Sequence, residues 1–210
     1  MKKTNLYIFK YLYYMRLSIL FIFLTTINSF LFSQHKRDSV YFYSTHYKGI
    51  YSEIKEQPLL IEYEVKNCRY GESRKGLEFY RCDTIHTSDK QDYYKNIWDK
   101  GHMVPAASQN CDKKMISETF SYLNCALQHQ DLNRKVWKYL EEYERELAQI
   151  HNISIIINIE FKTKQKLKTG ATLPSGFYKT IIINGGDLIL KYYFPNQKPK
   201  SNYYNDYKIN

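Results

Sequence analysis

Residues 98–150 fix the order of elements around which the rest of the chain must arrange itself. Trp98-Asp99-Lys100-Gly101-His102-Met103-Val104-Pro105-Ala106-Ala107 puts a charged pair, a glycine and a histidine side by side, and a proline then stops regular structure. Gly101 permits a turn without a side-chain penalty, so His102 is expected on a constrained turn rather than a helix face. Downstream, 121–127 reads as a strand, 128–132 as a polar loop, and 133–150 as the strongest helix of the chain. Val136, Leu140, Tyr143 and Leu147 recur at three- and four-residue spacing, a core-facing stripe, with Asp131 as its expected N-cap. The order is histidine turn, strand, loop, helix. A neutral imidazole is suited to general-base work near neutral pH.

The remaining strands read from local pattern. Leu59–Val65 ends in period-two alternation, as in a sheet with one wet face, and Val40–Tyr43 forms a second strand. The β-branched run Ile153–Ile159 predicts a buried strand. Phe177–Ile183 and Leu188–Phe194 are joined by Asn184-Gly185-Gly186-Asp187, which has hairpin-turn chemistry. From Pro195 the chain turns polar and is expected to be loose, apart from a short strand at Tyr207–Ile209.

At 210 residues the chain is one domain, or one domain plus a leader. Lys2, Lys3, Lys10 and Arg16 precede the apolar run Leu17–Phe32, which is short for a membrane span of ~20 residues. Residues 1–33 are therefore expected to be a signal peptide, with an uncleaved anchor as the alternative. Without them 27 basic and 21 acidic residues remain, a charge near +6 that suits a polyanion but decides little by itself. Cys68, Cys82, Cys111 and Cys125 lie beyond the leader, where an exporting compartment allows disulfides; three pairings are open, and Cys125 sits mid-strand as a free core thiol would. No C-x-x-C spacing exists, which disfavours structural zinc.

Together the two central blocks resemble the DNA/RNA non-specific endonucleases, a branch of the ββα-metal nucleases. Asp99, Gly101, His102, Pro105 and Ala106 match the family's first block; Asn124, Gln128, Asn133, Trp137, Leu140 and Glu141 match the second at the family's spacing. Arg74-Lys75-Gly76-Leu77-Glu78-Phe79 and Leu173-Pro174-Ser175-Gly176-Phe177-Tyr178-Lys179 resemble two further family segments, so that the likeness spans 45–194. It implies an α+β fold: a central mixed, mostly antiparallel sheet flanked by helices, carrying a ββα-metal active site. The domains implied are a leader at 1–33, an endonuclease domain at 34–194 and a polar tail at 195–210.

The resemblance also implies the chemistry: an exported, Mg²⁺-dependent endonuclease (Mn²⁺ being the substitute) that hydrolyses DNA and RNA with little sequence specificity. His102 is the implied general base and Asn133 the direct protein ligand of the cation, with Glu141 acting through a bound water. Arg74, with Arg69 and Arg81 as rivals, is the implied phosphate contact, since a guanidinium forks onto phosphate oxygens. Asn124 would orient the site or touch substrate, Gln128 would contact substrate or satisfy loop backbone, and Trp137 would pack. Asp99 would brace the histidine turn, and His86 and His129 are read as surface residues. In a straight helix Asn133 and Glu141 stand about 80° and roughly 12 Å apart, too far to grip one ion directly.

Two departures stand out. Lys100 replaces the family's arginine, keeping a charge for catalysis and substrate binding but losing the bidentate fork. Leu127 replaces the usual proline. Lys100 is the basis of an alternative reading, a weakened relative that binds nucleic acid without efficient cleavage.

Overall fold

A computed structural model describes residues 36–68 and 71–210. The expected leader, and Arg69, lie outside the described residues. Among the described residues no helix is long and apolar enough to cross a membrane.

Seven strands form one sheet in the order β1 (Val40–Tyr43), β2 (Tyr47–Ser52), β3 (Gln57–Glu64), β6 (Ile153–Glu160), β7 (Gly176–Ile183), β8 (Leu188–Pro195) and β9 (Lys208–Ile209). A separate pair joins β4 (Trp98–His102) to β5 (Cys125–His129). Every strand pairing is antiparallel; one parallel contact, Tyr80 with Ser121, is an isolated bridge. The short helix α1 is Lys113–Glu118, capped by the Asp112 carboxylate, which accepts from Met115 N. The long helix α2 runs on through Gln130–Leu132, a π-helical segment Asn133–Trp137, and Lys138–Leu147.

The core lies between one face of the large sheet and α2. Ile61 and Tyr63 of β3, Ile153, Ile155, Ile157 and Ile159 of β6, and Phe177, Ile181 and Ile183 of β7 meet Leu132, Val136, Trp137 and Leu140 there. The isoleucine run is buried on this face only. Ser154 and Ile156 are half-buried and Asn158 is exposed, so residue composition overstated burial while strand period set the facing. Trp137 packs edge-on against Phe177 and Phe194, the packing role its position implied.

Several expectations are corrected. A strand at Tyr47–Ser52 went unread because Gly49 breaks its pattern; a side chain there would run into Leu60 O of β3 and the Phe42 ring. The end of the chain packs instead of lying loose, with Tyr207 stacked on Phe194 and Tyr204 on Tyr143; the short strand expected there forms as β9 and extends the sheet at β8. Residues 122–124 form a turn of 3-10 helix, so the strand there starts only at Cys125. Helix α2 begins at Gln130, three residues early, and its N-cap is His129, whose Nδ1 accepts from Asp131 N.

Candidate active site

Strands β4 and β5 pair from Trp98–His129 to His102–Cys125, and α2 leaves directly from the end of β5. This ββα unit carries His102 at the end of its first strand and Asn133 in the first turns of its helix. His102 thus ends a strand and is not on a turn. Pairing with β5 overrides the poor strand propensity of Asp99, Gly101 and His102. Gly101 serves close approach instead of turning: a Cβ there would lie 2.5 Å from Gln128 Oε1 and 2.6 Å from Gln128 Cβ.

A cleft of about 860 Å³ lies over this unit. His102, Asn133, Glu141, Asp99 and Arg74 all line it. So do Arg134, Lys138 and Arg145 of α2, giving it a positively charged wall. A second concavity, about 560 Å³, lies where Tyr43, Lys48, Glu62 and Lys66 meet; its lysines are already paired, Lys48 with Glu62 and Lys66 with Glu64.

The His102 ring is walled by Phe79 and Phe120, with centroids at 4.8 and 5.0 Å. Its Nε2 is buried and has no hydrogen-bond partner. Burial pushes the imidazole down to about 4, helped by the positive charge of Arg74 and opposed by a hydrogen bond to the Lys100 backbone. The ring is therefore neutral at physiological pH, with one ring nitrogen free of a proton. Asn124 holds the segment after it. Its amide nitrogen donates to Val104 O and Thr119 O, and its Oδ1 accepts from Val104 N at 2.7 Å. Being fully buried, Asn124 orients the histidine end of the cleft and does not line it.

Asp99 connects the two halves. Its Oδ2 accepts from Asn133 Nδ2 at 2.9 Å and from Arg134 Nε at 2.8 Å, while Oδ1 accepts from Arg134 Nη2. With its amide nitrogen so engaged, Asn133 keeps its carbonyl oxygen for another partner. Burial raises the Glu141 carboxyl to about 7, with the ammonium of Lys179 drawing it back down. Among the described residues no group of three His, Cys, Asp or Glu side chains could hold a metal. An amide oxygen and one carboxylate fit a hard cation that keeps most of its own water, such as Mg²⁺, and do not fit zinc.

Other candidates fall elsewhere. Gln128 is fully buried behind Gly101 with neither side-chain polar atom hydrogen-bonded, so the expected substrate contact is not made from this position. Lys100 points its ammonium at Phe79 and Tyr122, 5.3 and 5.7 Å from the ring centroids, and does not line the cleft. Arg81 stands 3.8 Å from Asp89, away from the cleft, so of the two described candidates for the phosphate contact Arg74 is the one that lines it. His86 is not a plain surface residue: its Nε2 lies 2.9 Å from Glu56 Oε1.

Two functional features escaped the sequence reading. Arg145 lies four residues after Glu141, a same-face spacing that could have revealed it. Cys68 and Cys111 form a disulfide that ties the segment leading to Arg74 onto the loop beyond His102. The same two segments are joined by hydrogen bonds from Lys66 N to Ser108 O and from Glu72 N to Asn110 O. Cys125 is free and buried, as expected, and Cys82 is free.

Comparison with known proteins agrees with this fold. Mitochondrial endonuclease G of Bos taurus is 27% identical over 143 residues, 59% of this chain and 48% of that protein. The mitochondrial nuclease EXOG of Danio rerio is 29% identical over 113 residues, 51% of this chain and 33% of that protein. The chain thus matches about half the length of these curated relatives, or less. The fold is that of endonuclease G as solved in a complex with its inhibitor EndoGI, with a TM-score of 0.71 at 22% identity over 81% of this chain and 80% of that one. The profile of the DNA/RNA non-specific endonucleases matches residues 25–210, and the chain belongs to that family.

Proposed function

We propose that the protein is an exported endonuclease that hydrolyses phosphodiester bonds of DNA and RNA with little regard for sequence and requires a divalent cation, Mg²⁺ or Mn²⁺ in its place. The observation that carries this reading is the convergence, in one basic cleft, of a neutral histidine with an unpartnered Nε2, an amide oxygen, a carboxylate and an arginine.

The His102 imidazole takes the proton of the attacking water, and its hydrophobic walls keep the ring uncharged and in place. Arg74 forks onto the phosphate, and Arg145 and Lys138 extend positive charge along the strand being cut. Asn133, aimed by Asp99, and Glu141 would hold the cation, Glu141 through a water. When bound, the cation neutralises charge on the scissile phosphate and the departing oxygen. Contacts made to phosphate carry no sequence information, which accounts for broad substrate choice. Export rests on the apolar run 17–32.

The test is digestion of plasmid DNA and of RNA by the leaderless protein, with Mg²⁺ and with chelator. The wild type should nick both only with the cation, and His102→Ala should nick neither. Binding without cutting in the wild type would instead favour the weakened relative; equal nicking by wild type and Asn133→Ala would overturn the site.

A further inference from the structure

Helix α2 changes phase at Asn133–Trp137, where five residues adopt π-helical geometry. A π-turn bonds i to i+5 and so takes up one residue more than an α-turn. Beyond it, each side chain points where its predecessor would point in an unbroken α-helix.

Burial along the helix shows the slip. Leu132, Trp137, Leu140 and Glu144 are all buried. Counted at 100° per residue in an unbroken α-helix they scatter over an arc of about 140°; with one residue absorbed they fall within about 60°. Asn133, Arg134, Lys138, Glu141 and Arg145 all line the cleft. Without the slip, Lys138, Glu141 and Arg145 stand about 80–140° around the helix from Asn133; with it, these three and Asn133 share an arc of about 60°, and Arg134 alone stands apart at about 100°. Asn133 and Glu141 come within about 20° of one another, separated by roughly 10 Å along the axis.

We propose that this π-turn is a positioning device that phases Glu141 onto the face of Asn133, so that the amide and the carboxylate address the same divalent cation. The residue taken up keeps the hydrophobic stripe in register with the sheet while turning the carboxylate into the cleft. It rests on the cation-dependent reading above and adds the reason both residues can serve it. Beneath the turn, the Lys179 ammonium lies 4.3 Å from the centroid of the Trp137 ring, the last residue of the π segment, and pins its inner side.

The test uses Mn²⁺ alone, read by paramagnetic broadening of the Asn133 side-chain amide resonances, with no substrate present. Deleting Lys135, exposed within the turn, should convert it to α-helix, raise Tm, and leave the broadening within about twofold of wild type, because seven α-steps reproduce the same phase. Should the deletion fail to fold, substitutions that keep the chain length decide. Glu141→Gln should reduce the broadening about tenfold; E141Q with K138E, about 40° from Asn133, should regain it, and E141Q with Y139E, about 140° away, should not. Loss in the folded deletion, or failure of K138E to rescue, overturns the phase argument. Absence of broadening in the wild type removes the cation reading itself, and the proposal with it.

Discussion

Replacing Lys179 by methionine removes a charge from a fully buried ion pair. Lys179 Nζ lies 2.7 Å from Glu144 Oε1, and neither side chain is exposed. The Tyr63 hydroxyl donates to Glu144 Oε2 at 3.1 Å, and the ammonium also faces the Trp137 ring. In the single variant Glu144 keeps one neutral donor and loses its counter-charge. Stranding a buried ion in this way costs about 3–5 kcal/mol, a large part of a typical domain's total of 5–15 kcal/mol. The double variant K179M/E144L strands nothing and should lie within about 2 kcal/mol of wild type on either side, since the desolvation cost disappears with the attraction. The assay is urea unfolding followed by tryptophan fluorescence on the wild type, both single variants and the double. The expected coupling exceeds about 3 kcal/mol. Additive effects, or a K179M variant within about 1 kcal/mol of wild type, would refute the view that the pair acts as one unit. Glu141 gives a second readout, because Lys179 is the charge that most offsets its burial. In the K179M single variant its carboxyl should hold its proton to still higher pH.

Further outcomes follow from the same geometry. Cys68→Ser with Cys111→Ser opens a loop spanning 43 positions, which should cost about 4 kcal/mol by loop entropy and raise KM more than it lowers kcat, because Arg74 loses its tether; unchanged urea midpoint and KM would contradict this. His102 has its folded pKa depressed, so the unfolded chain binds more protons between pH 4 and 6.5. Its stabilising contribution should be full above pH 6.5 and be lost as pH falls towards 4, and the acid limb that His102 gives the activity should sit near 4 in a pH–rate profile. Asp99→Asn should leave the fold intact but release the Asn133 amide and the Arg134 fork, weakening Mn²⁺ binding in a titration by about tenfold.

Much of the fold was legible because strand period and hydrophobic spacing are local. The isoleucines of β6, the hairpin residues 184–187 and the stripe of α2 each announced their element. His102, Asn133, Glu141 and Arg74 were legible as one constellation because their spacing matched a family pattern, and the cleft does bring them together. What stayed hidden depends on contacts distant in sequence. Lys179 sits where β7 alternation calls for an apolar side chain, and only Glu144, on another element, makes a lysine tolerable there. The pairing of Cys68 with Cys111 cannot be derived from spacing. Gln128 looked available because it stands in a polar run, yet β5 turns it inward over Gly101. The phase slip in α2 was invisible because the apolar positions after Val136 keep ordinary helical spacing among themselves.

The final stretch of chain has a practical consequence. Asn196, one residue past β8, donates from its amide nitrogen to Leu127 O and Pro174 O, and its Oδ1 accepts from His129 N. One side chain thereby rivets the end of β5, the start of α2 and the approach to β7. A protein trimmed at Pro195 would keep every residue named in the cleft and still lose the fastener beneath it; the proposed cleavage activity should vanish on gentle warming, well before its sheet melts.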